Sequence, residues 1–158
     1  MRTGIGIDAH RFVAGRALFL GGLEVPHPMG LAGHSDADVV LHALMDALLG
    51  ASGGGDIGEM FPDSDPAYEG ISSLELLGRV METVRGRGYG VLNADIAVIC
   101  EEPRIAPLSQ AMAARIASGL GVDDGAVAVK GTTTEGMGFT GRGEGIMAIA
   151  SVLLDETG

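Results

Sequence analysis

The stretch Gly6-Ile7-Asp8-Ala9-His10 predicts the end of the chain's first β-strand. Side chains two positions apart in a strand point to the same side, so Asp8 and His10 project together. A carboxylate oxygen and an imidazole nitrogen are both zinc ligands, and the pair is therefore half of a metal site. Taken alone, such a pair more often forms an ordinary hydrogen bond at a strand end.

A third metal ligand has to come from another part of the chain, and His42 is the best candidate. It lies in an apolar, helix-like run, residues 39–49, where a polar ring is unexpected unless it has a specific role. Three protein ligands leave one position of a tetrahedron open, as in catalytic zinc sites. Asp38 and Asp46 each lie one helical turn from His42, so either carboxylate is a candidate partner for its ring. A lone helical histidine is otherwise an ordinary core or rim residue.

The composition suits one domain over residues 1–158. Hydrophobic residues make up 46% of the chain and aromatic residues only 4%, so the core must be aliphatic. The formal net charge of −11 argues against nucleic acid and against an anionic membrane as partners. No signal peptide and no apolar run of about 18 residues is apparent, which favours a soluble cytoplasmic protein. The single cysteine, Cys100, is expected to be a small core residue.

The order of the apolar patterns predicts an α/β fold, an α+β two-layer sandwich with helices on one face of a mixed, mostly antiparallel sheet. A hairpin is expected to turn at Gly21-Gly22, with a loop over residues 26–33. Helices are expected to begin at a Ser35 cap, at a Ser72 capping box and at Pro107, the first of them ending near residue 49. Further strands are expected over residues 91–100, 126–130 and 146–154.

The last predicted strand is apolar on both faces. Along it, two apolar sets alternate: Ile146, Ala148, Ala150, Val152 and Leu154 on one face, and Met147, Ile149 and Leu153 on the other. One face can pack on the helices of the same chain, whereas the other face needs cover. A second copy of the protein is the simplest source of that cover.

Two polar segments are candidate phosphate contacts. Thr132-Thr133-Thr134-Glu135 lies beside the only lysine, Lys130, and hydroxyls suit phosphate oxygens while a carboxylate suits Mg²⁺. Arg142, in the same loop, could form two parallel hydrogen bonds to a phosphate. His34-Ser35 precedes the first predicted helix, whose N-terminus attracts anions, although the acids that follow would compete there. The plain alternatives are a Thr-rich turn with a solvated glutamate, and a capping serine behind a surface histidine.

Longer motifs occur in order along nearly the whole chain. They are Gly-Ile-Asp-Ala-His at 6–10, His-Ser-Asp-Ala-Asp at 34–38, Leu-His-Ala-Leu-Met-Asp-Ala-Leu-Leu-Gly at 41–50, Gly-Asp-Ile-Gly at 55–58, Phe-Pro-Asp-Ser-Asp-Pro at 61–66, Thr-Thr-Thr-Glu at 132–135 and Gly-Phe-Thr-Gly-Arg-Gly-Glu-Gly at 138–145. Together, in this order and spacing, they resemble the 2-C-methyl-D-erythritol 2,4-cyclodiphosphate synthase family.

The resemblance implies two metal ions. Zinc would be held by Asp8, His10 and His42, in agreement with the strand and helix patterns. A second divalent ion, Mg²⁺ or Mn²⁺, would be held by Glu135 against the diphosphate of the substrate.

The resemblance also implies the substrate contacts. His34 and Thr133 would stabilise the transition state. Residues 56–58 and 61–65 would contact the sugar-alcohol and ribose parts, and residues 100–106 with Thr132 would line a cytidine pocket. The implied substrate-binding residues are Asp8, Ala9, His10, His34, Ser35, Asp56, Ile57, Gly58, Phe61, Pro62, Asp63, Ser64, Asp65, Cys100, Glu101, Glu102, Pro103, Arg104, Ile105, Ala106, Thr132, Thr133, Thr134, Glu135, Phe139 and Arg142.

The chain departs from the family pattern at two places. Ala37 replaces a common glycine, which leaves less backbone freedom there. Glu101-Glu102 and Arg104 replace the usual residues near the cytidine pocket, which weakens the expectation of side-chain contacts but leaves backbone contacts to cytidine.

The implied reaction is an intramolecular cyclisation in the non-mevalonate isoprenoid pathway. The 2-phosphate of 4-diphosphocytidyl-2-C-methyl-D-erythritol 2-phosphate attacks the β-phosphorus of its own diphosphate, and CMP leaves. In such a phosphoryl transfer the protein mainly has to align the two phosphates and neutralise their charge, and no general base is needed. The resemblance further implies a homotrimer with sites between neighbours. One subunit would supply the zinc ligands and Asp56, and the next would supply Thr132, Glu135 and the cytidine pocket.

Two other functions fit parts of the pattern. A zinc-dependent hydrolase of a phosphoester would need a general base, for which Asp56 is available, although the His-Glu-x-x-His spacing of many zinc hydrolases does not occur. A non-enzymatic oligomeric binding protein with a structural metal would need a fourth ligand, for which His27 is the only spare histidine.

Overall fold

The computed structural model describes residues 1–62 and 64–157 of the chain. Its strands are β1 (Arg2–Ala14), β2 (Leu18–Leu20), β3 (Leu23–Val25), β4 (Met29–Leu31), β5 (Tyr89–Ile99), β6 (Val127–Thr132) and β7 (Gly145–Glu156). Its helices are α1 (Val39–Ser52), α2 (Ile57–Met60), α3 (Ser73–Gly86), α4 (Ser109–Leu120) and α5 (Gly138–Gly141), with 3₁₀ turns at Pro66–Tyr68 and Asp124–Ala126.

One mixed sheet organises the fold, with the strand order β4-β1-β7-β5-β6. Neighbouring strands are antiparallel except β5 and β6, which run parallel. β2 and β3 form a separate hairpin that turns at Gly21-Gly22, as predicted. Helix α1 packs on β1 and β7, and α4 packs on β6. The predicted α/β class, with a mixed and mostly antiparallel sheet, is therefore confirmed.

Gly6 of β1 lets α1 lie directly on the sheet. A Cβ atom added at Gly6 would lie 2.0 Å from the carbonyl oxygen of Ala43 in α1. Real Cβ atoms do not approach other atoms so closely, and only glycine permits this packing. The short distance between helix and strand brings His42 of α1 to the part of β1 that carries Asp8 and His10.

The structure corrects the expected extent of β1. The strand continues beyond His10 to Ala14, because Arg11 still pairs with Gly145 of β7 and residues 12–14 pair with β4. β4 itself lies within residues 26–33, which the sequence pattern assigned to a loop. Three residues are too few to produce a visible alternation of apolar and polar side chains.

The predicted start of α1 is also wrong. The N-cap is Asp38 and not Ser35, because the buried Asp38 carboxylate accepts hydrogen bonds from two N–H groups of the first helical turn. The helix continues to Ser52, beyond the expected end near residue 49. The N–H groups of Val40 and Leu41 are therefore already bonded, and the Asp38 carboxylate occupies the place where an anion was expected.

The remaining elements follow the sequence patterns closely. α3 begins at the Ser72 cap as predicted, and α4 begins at Ser109, two residues after Pro107. Residues 131–145, expected as a loop, contain the single turn of α5. Among the described helices, none combines the length and the hydropathy needed to cross a membrane.

The sheet face opposite the helices is apolar and open in the single chain. Ile5 is 67% exposed and Ile7 is 53% exposed on this face. Met147, Ile149 and Leu153 of β7 lie on the same face and are partly exposed, whereas the alternate residues of β7 are buried under the helices. The expectation that β7 is apolar on both faces, with only one face covered by its own chain, agrees with the structure.

Candidate metal centre and neighbouring cavities

Asp8, His10 and His42 form one compact cluster. His10 Nε2 lies 2.7 Å from Asp8 Oδ2 and 3.1 Å from His42 Nδ1, and His42 Nδ1 lies 3.2 Å from Asp8 Oδ2. With metal–ligand bonds of about 2.1 Å, the ligand atoms of a tetrahedral zinc ion stand about 3.4 Å apart. Asp8 Oδ2, His10 Nε2 and His42 Nδ1 lie near that spacing from one another. One oxygen and two nitrogen ligand atoms suit a divalent metal ion.

The pKa values of Asp8 and His10 are shifted by their neighbours in the cluster. Burial raises the pKa of the Asp8 carboxyl, but hydrogen bonds and charge from His10 and His42 outweigh burial and hold that pKa well below its usual range. Burial lowers the pKa of His10, whereas the hydrogen bond and charge of Asp8 raise it above its usual value. Both shifts favour the charged forms, an Asp8 carboxylate and a His10 imidazolium, and a metal ion bound to the cluster would compete with a proton on His10.

A backbone carbonyl orients the His10 ring. His10 Nδ1 lies 2.6 Å from the Ala32 carbonyl oxygen. A carbonyl oxygen only accepts hydrogen bonds, so Nδ1 must carry a hydrogen and donate it. When the ring is neutral, the lone pair is therefore on Nε2, which faces Asp8 and His42 and is the atom available to a metal.

The predicted partners of His42 are wrong. Asp38 accepts hydrogen bonds from the turn of the β2–β3 hairpin, and Asp46 accepts one from the first residue of α2. The hydroxyl oxygens of Ser35 and Ser73 lie against His42 Nε2 instead, at 3.1 and 3.2 Å. Ser73 is far away in the sequence, which is why helical spacing alone could not identify it.

A cavity of about 440 Å³ opens beside the cluster. Its lining includes His42 and eight of the residues implied as substrate contacts, namely Asp8, His10, His34, Ser35, Ile57, Gly58, Phe61 and Pro62. Sequence reasoning missed Gly33, Tyr68 and Leu76, which also line it. Leu76 had the pattern of an ordinary core residue of α3, and Tyr68 stands edge-on to Phe61 at 5.2 Å between ring centroids.

Other residues that the resemblance implied as substrate contacts are not among the lining residues of this cavity. Asp56 caps α2 with its carboxylate, and Asp65 caps the following 3₁₀ turn. Ala9 is exposed on the opposite side of β1, and Ser64 is exposed. Asp63 lies outside the described residues.

The segment that carries His34 is fixed by hydrogen bonds on both sides. The Arg16 guanidinium donates to the carbonyl oxygens of Gly33 and Ser35, at 2.5 Å each. The Gly70 N–H donates to the His34 carbonyl oxygen at 2.8 Å. Arg16 lies in the turn between β1 and β2 and has no sequence feature that could have marked it.

A second cavity, of about 430 Å³, lies at the end of β6. It is lined by Cys100, Glu101, Pro103, Arg104, Ile105, Ala106, Gly131, Thr132 and Thr133. All of these except Gly131 were implied as substrate contacts, and Glu102 is the member of that segment that does not line the cavity. Burial, followed by the charge of Glu101, raises the pKa of the Cys100 thiol to about 11, so the thiol stays neutral.

The two cavities belong to different parts of the sheet. β7 and β5 lie between β1, which carries Asp8 and His10, and β6, which ends at Thr132. Neighbouring strands stand ~4.8 Å apart, so about 14 Å of sheet separates the two groups within one chain. The metal ligands and the Thr132 region are therefore not brought together by a single copy.

The Thr-rich segment turns sharply after β6. Glu135 adopts a left-handed backbone with φ of 54°, and its carboxylate accepts a hydrogen bond from the Thr133 hydroxyl at 3.3 Å. The Thr134 hydroxyl instead lies 2.9 Å from that of Thr140 and stabilises the loop. Left-handed non-glycine residues are strained and often occur at functional sites.

Two cationic side chains near this loop, those of Lys130 and Arg142, have acidic partners. Lys130 is paired with Asp95, with nitrogen–oxygen distances of 2.5 and 2.6 Å. Arg142 is paired with Glu144 at 2.7 Å, and Phe139 beside it is 38% exposed. Lys130 directly precedes the Thr-rich segment in the sequence, but its side chain extends to Asp95 of β5.

The sequence matches a known protein family over nearly its whole length. Residues 1–155 match the model of a family described as the YgbB family. The chain belongs to the YgbB family.

Relatives in the YgbB family are named synthases. The 2-C-methyl-D-erythritol 2,4-cyclodiphosphate synthase of Aromatoleum aromaticum is 56% identical over 160 residues, which cover 99% of this chain and 97% of that protein. The bifunctional IspDF structure from Campylobacter jejuni has a TM-score of 0.94 and 44% identity, over 98% of this chain and 42% of that chain. The CDP complex of Plasmodium falciparum IspF has a TM-score of 0.87 and 30% identity, over 99% and 97%.

Membership of the YgbB family favours the synthase over the two other functions considered. Neither a zinc-dependent hydrolase nor a non-enzymatic binding protein is the named function of the relatives cited above. The family's common glycine also has a structural reason at Ala37, whose φ of 58° is left-handed. Alanine costs roughly 1 kcal/mol in that conformation, whereas glycine adopts it freely.

Proposed function

We propose that this chain is a phosphorus–oxygen lyase that converts 4-diphosphocytidyl-2-C-methyl-D-erythritol 2-phosphate into 2-C-methyl-D-erythritol 2,4-cyclodiphosphate and CMP, in the non-mevalonate isoprenoid pathway. The observation that carries the proposal is the cluster of Asp8, His10 and His42 beside a cavity, in a chain of the YgbB family. The similarity to synthases extends over 99% of the chain.

The reaction forms one phosphorus–oxygen bond and breaks another. An oxygen of the 2-phosphate attacks the β-phosphorus, and the bond from that phosphorus to the bridging oxygen breaks, so that CMP leaves with the electron pair. No water is consumed, and the attacking phosphate is already ionised near neutral pH. The protein has to align the two phosphates and neutralise their charge.

The residues of the first cavity suit that task. His34 and Ser35 offer hydrogen-bond donors beside the metal cluster, and Ile57, Phe61 and Leu76 offer an apolar wall for the carbon skeleton. Thr133 is proposed to act with His34 on the transition state. Zinc held by the cluster would supply positive charge to the phosphate oxygens.

Zinc is proposed as the metal because of the donor set. Two imidazole nitrogens and one carboxylate oxygen are typical zinc ligands, and three protein ligands leave a position open to a phosphate oxygen. A second ion, Mg²⁺ or Mn²⁺, is proposed at Glu135, where it would depend on the substrate diphosphate for its other ligands. The second cavity is proposed to take the cytidine.

A homotrimer with shared sites is proposed for two reasons. The apolar sheet face around Ile5 and Ile7 needs cover that the single chain does not supply. The Asp8 cluster and Glu135 belong to separate parts of one chain, so one substrate could reach both only if neighbouring subunits each contribute one part. A ring of three copies repeats the same directional interface.

The test combines metal content with product analysis. The purified chain should contain about one zinc per chain, and a chelator should abolish CMP release. In ¹⁸O-labelled water a cyclase incorporates no label into CMP or the cyclic product, whereas a hydrolase incorporates one oxygen. His42→Ala should lose zinc and activity but remain folded, because α1 keeps its apolar face. Undiminished zinc in that variant would reject the metal assignment, and labelled product would reject the cyclase.

A second experiment tests the shared site. His42→Ala and Glu135→Gln chains, each nearly inactive alone, are mixed in equal amounts and allowed to exchange subunits. A site is intact only when its zinc ligands come from the Glu135→Gln chain and its glutamate from the His42→Ala chain. Random assembly makes about a quarter of the sites intact. If mass spectrometry confirms exchange and no activity returns, the shared site is wrong.

A further inference from the structure

The two ring nitrogens of His42 face different surroundings. Nδ1 faces the metal cluster, at 3.1 Å from His10 Nε2 and 3.2 Å from Asp8 Oδ2. Nε2 faces the hydroxyl oxygens of Ser35 and Ser73, at 3.1 and 3.2 Å. The ring can bind a metal through Nδ1 only if the hydrogen of its neutral form is on Nε2. The atoms around Nε2 therefore decide whether His42 is ready to act as a ligand.

Ser73 can only accept a hydrogen bond from His42. Its hydroxyl is hydrogen-bonded to one carboxylate oxygen of Asp36, and its backbone N–H donates to the other at 3.0 Å. A carboxylate only accepts, so the hydroxyl hydrogen of Ser73 is committed to Asp36. The oxygen of Ser73 then presents its lone pairs to His42, and Nε2 must supply the hydrogen. The result is a chain from carboxylate through hydroxyl to imidazole.

Asp36 is itself held in place by the backbone. Its N–H donates to the Ile71 carbonyl oxygen at 3.0 Å, and its carboxylate also accepts from the Asp38 N–H at 3.2 Å. These bonds join the segment before α1 to the start of α3. Ser73, in the first turn of α3, is fully buried, so solvent cannot replace its hydroxyl.

We propose that Ser73, held by Asp36, is a positioning residue that keeps the hydrogen of His42 on Nε2 and aims the Nδ1 lone pair at Asp8 and His10. This inference rests on the metal site of the proposed function. Residues that orient a ligating histidine in this way typically change metal affinity 10- to 100-fold when they are removed. Ser73 would act through His42 and would not touch the substrate.

Ser35 has a different role at the same nitrogen. It lines the cavity, whereas Ser73 is not part of the lining, and its oxygen also accepts from the Ala37 N–H at 3.1 Å. Its hydroxyl hydrogen is not committed to a carboxylate and can be donated into the cavity. A change at Ser73 therefore isolates the orientation of His42 from contact with substrate, which a change at Ser35 would not.

The main test measures zinc affinity of the full-length protein. Metal-free wild-type, Ser73→Ala and Ser72→Ala proteins are titrated with zinc in competition with a chromophoric chelator. Ser72 is the matched control, because its hydroxyl caps the same helix through the Leu74 N–H and does not contact His42. Ser73→Ala should bind zinc at least about 10-fold more weakly than wild type, and Ser72→Ala should bind within about 2-fold of it.

Asp36→Asn provides a second variant. An amide places its oxygen at only one of the two carboxylate oxygen positions and an NH₂ group at the other. The Ser73 N–H can only donate and requires the oxygen, whereas the Ser73 hydroxyl can accept from the NH₂ group, so its hydrogen becomes free to turn towards His42. Zinc affinity should fall about 10-fold, and the combination of Asp36→Asn with Ser73→Ala should be no worse than Ser73→Ala alone. Circular dichroism of each metal-free variant checks that the fold is retained.

A spectroscopic readout separates orientation from general damage. In the metal-free protein the Asp8 carboxylate also attracts a hydrogen to Nδ1 of His42. The ¹⁵N shifts of His42 at alkaline pH should therefore show a larger share of the tautomer with its hydrogen on Nε2 in wild type than in Ser73→Ala. Wild-type affinity in Ser73→Ala, or an unchanged tautomer, overturns this inference while leaving the metal site intact. A wild-type protein that binds no zinc overturns both the inference and the proposed metal.

Discussion

Replacing Gly6 by alanine should separate α1 from β1 and break the metal cluster without altering any ligand. The added Cβ atom would lie 2.0 Å from the Ala43 carbonyl oxygen and 2.6 Å from the Ala47 nitrogen. Both are backbone atoms of α1, so the contact cannot be relieved by turning a side chain. Either the helix or the strand has to move.

The required movement can be taken from the distances. Cβ atoms essentially never come closer than 3.0 Å to such atoms, so the 2.0 Å contact demands a shift of at least 1.0 Å. Metal sites tolerate errors of only about 0.2 Å in ligand distance. His42 directly precedes Ala43 in the sequence and would move with the helix, while Asp8 and His10 stay on the strand. Overpacking of this kind also destabilises a core by roughly 1–3 kcal/mol.

The assay measures both consequences on the same sample. Urea unfolding of metal-free Gly6→Ala should show a loss of roughly 1–3 kcal/mol, and competition with a chelator should show zinc binding at least about 10-fold weaker. Gly50→Ala is the matched control, because Gly50 is in α1 and an added Cβ atom would meet nothing within 4 Å. It should gain roughly 0.5–1 kcal/mol from helix propensity and bind zinc normally.

A Gly6→Ala protein with wild-type stability and wild-type zinc affinity would refute the reasoning. That result would mean that α1 and β1 can separate without cost and that the cluster does not depend on their close packing. Loss of stability with unchanged zinc affinity would refute only the link between packing and the metal site.

Three further predictions concern residues around the site. Asp38 is a fully buried cap that accepts hydrogen bonds from N–H groups of both the hairpin turn and α1, and Asp38→Asn removes one of its acceptor oxygens. Urea unfolding should show that the free energy of unfolding falls by roughly 1–3 kcal/mol, whereas no change would mean that the cap is dispensable. Arg16→Gln replaces two guanidinium nitrogens, each bonded to one of the carbonyl oxygens beside His34, by a single amide nitrogen on a shorter side chain. The value of kcat/KM should fall about 10-fold with zinc content unchanged, and wild-type kinetics would remove Arg16 from any positioning role. In the metal-free protein, the raised pKa of His10 contributes stability that is present below its ordinary value of 6.5 and is lost as pH rises through the folded-state value. The lowered pKa of Asp8 contributes stability that is present above 3.8 and is lost as pH falls through the folded-state value, so unfolding measured against pH should show both losses, and a flat profile would contradict the coupling.

Much of the fold and part of the site were visible in local patterns. Alternation along β1 placed Asp8 and His10 on one side, and the cap at Ser72 marked the start of α3. Local geometry fixes such features, because neighbours in the sequence decide the direction of a side chain in a strand and the bonds of a helix terminus. The resemblance of whole motifs added residues that no single pattern could justify. Four of them line the cavity beside His42, namely Ile57, Gly58, Phe61 and Pro62.

The sequence alone determined the types of ligand, the strand that carries two of them and the helix that carries the third. Tertiary structure decided how these elements meet. Gly6 matters only because α1 crosses β1 at that residue. Asp38 also accepts hydrogen bonds from the β2–β3 turn only because that turn packs against the start of α1, and Ser73 reaches His42 only because α3 begins beside it. Each of these contacts joins residues distant in the sequence, so its energy depends on the relative placement of packed elements and leaves no trace in local spacing or propensity.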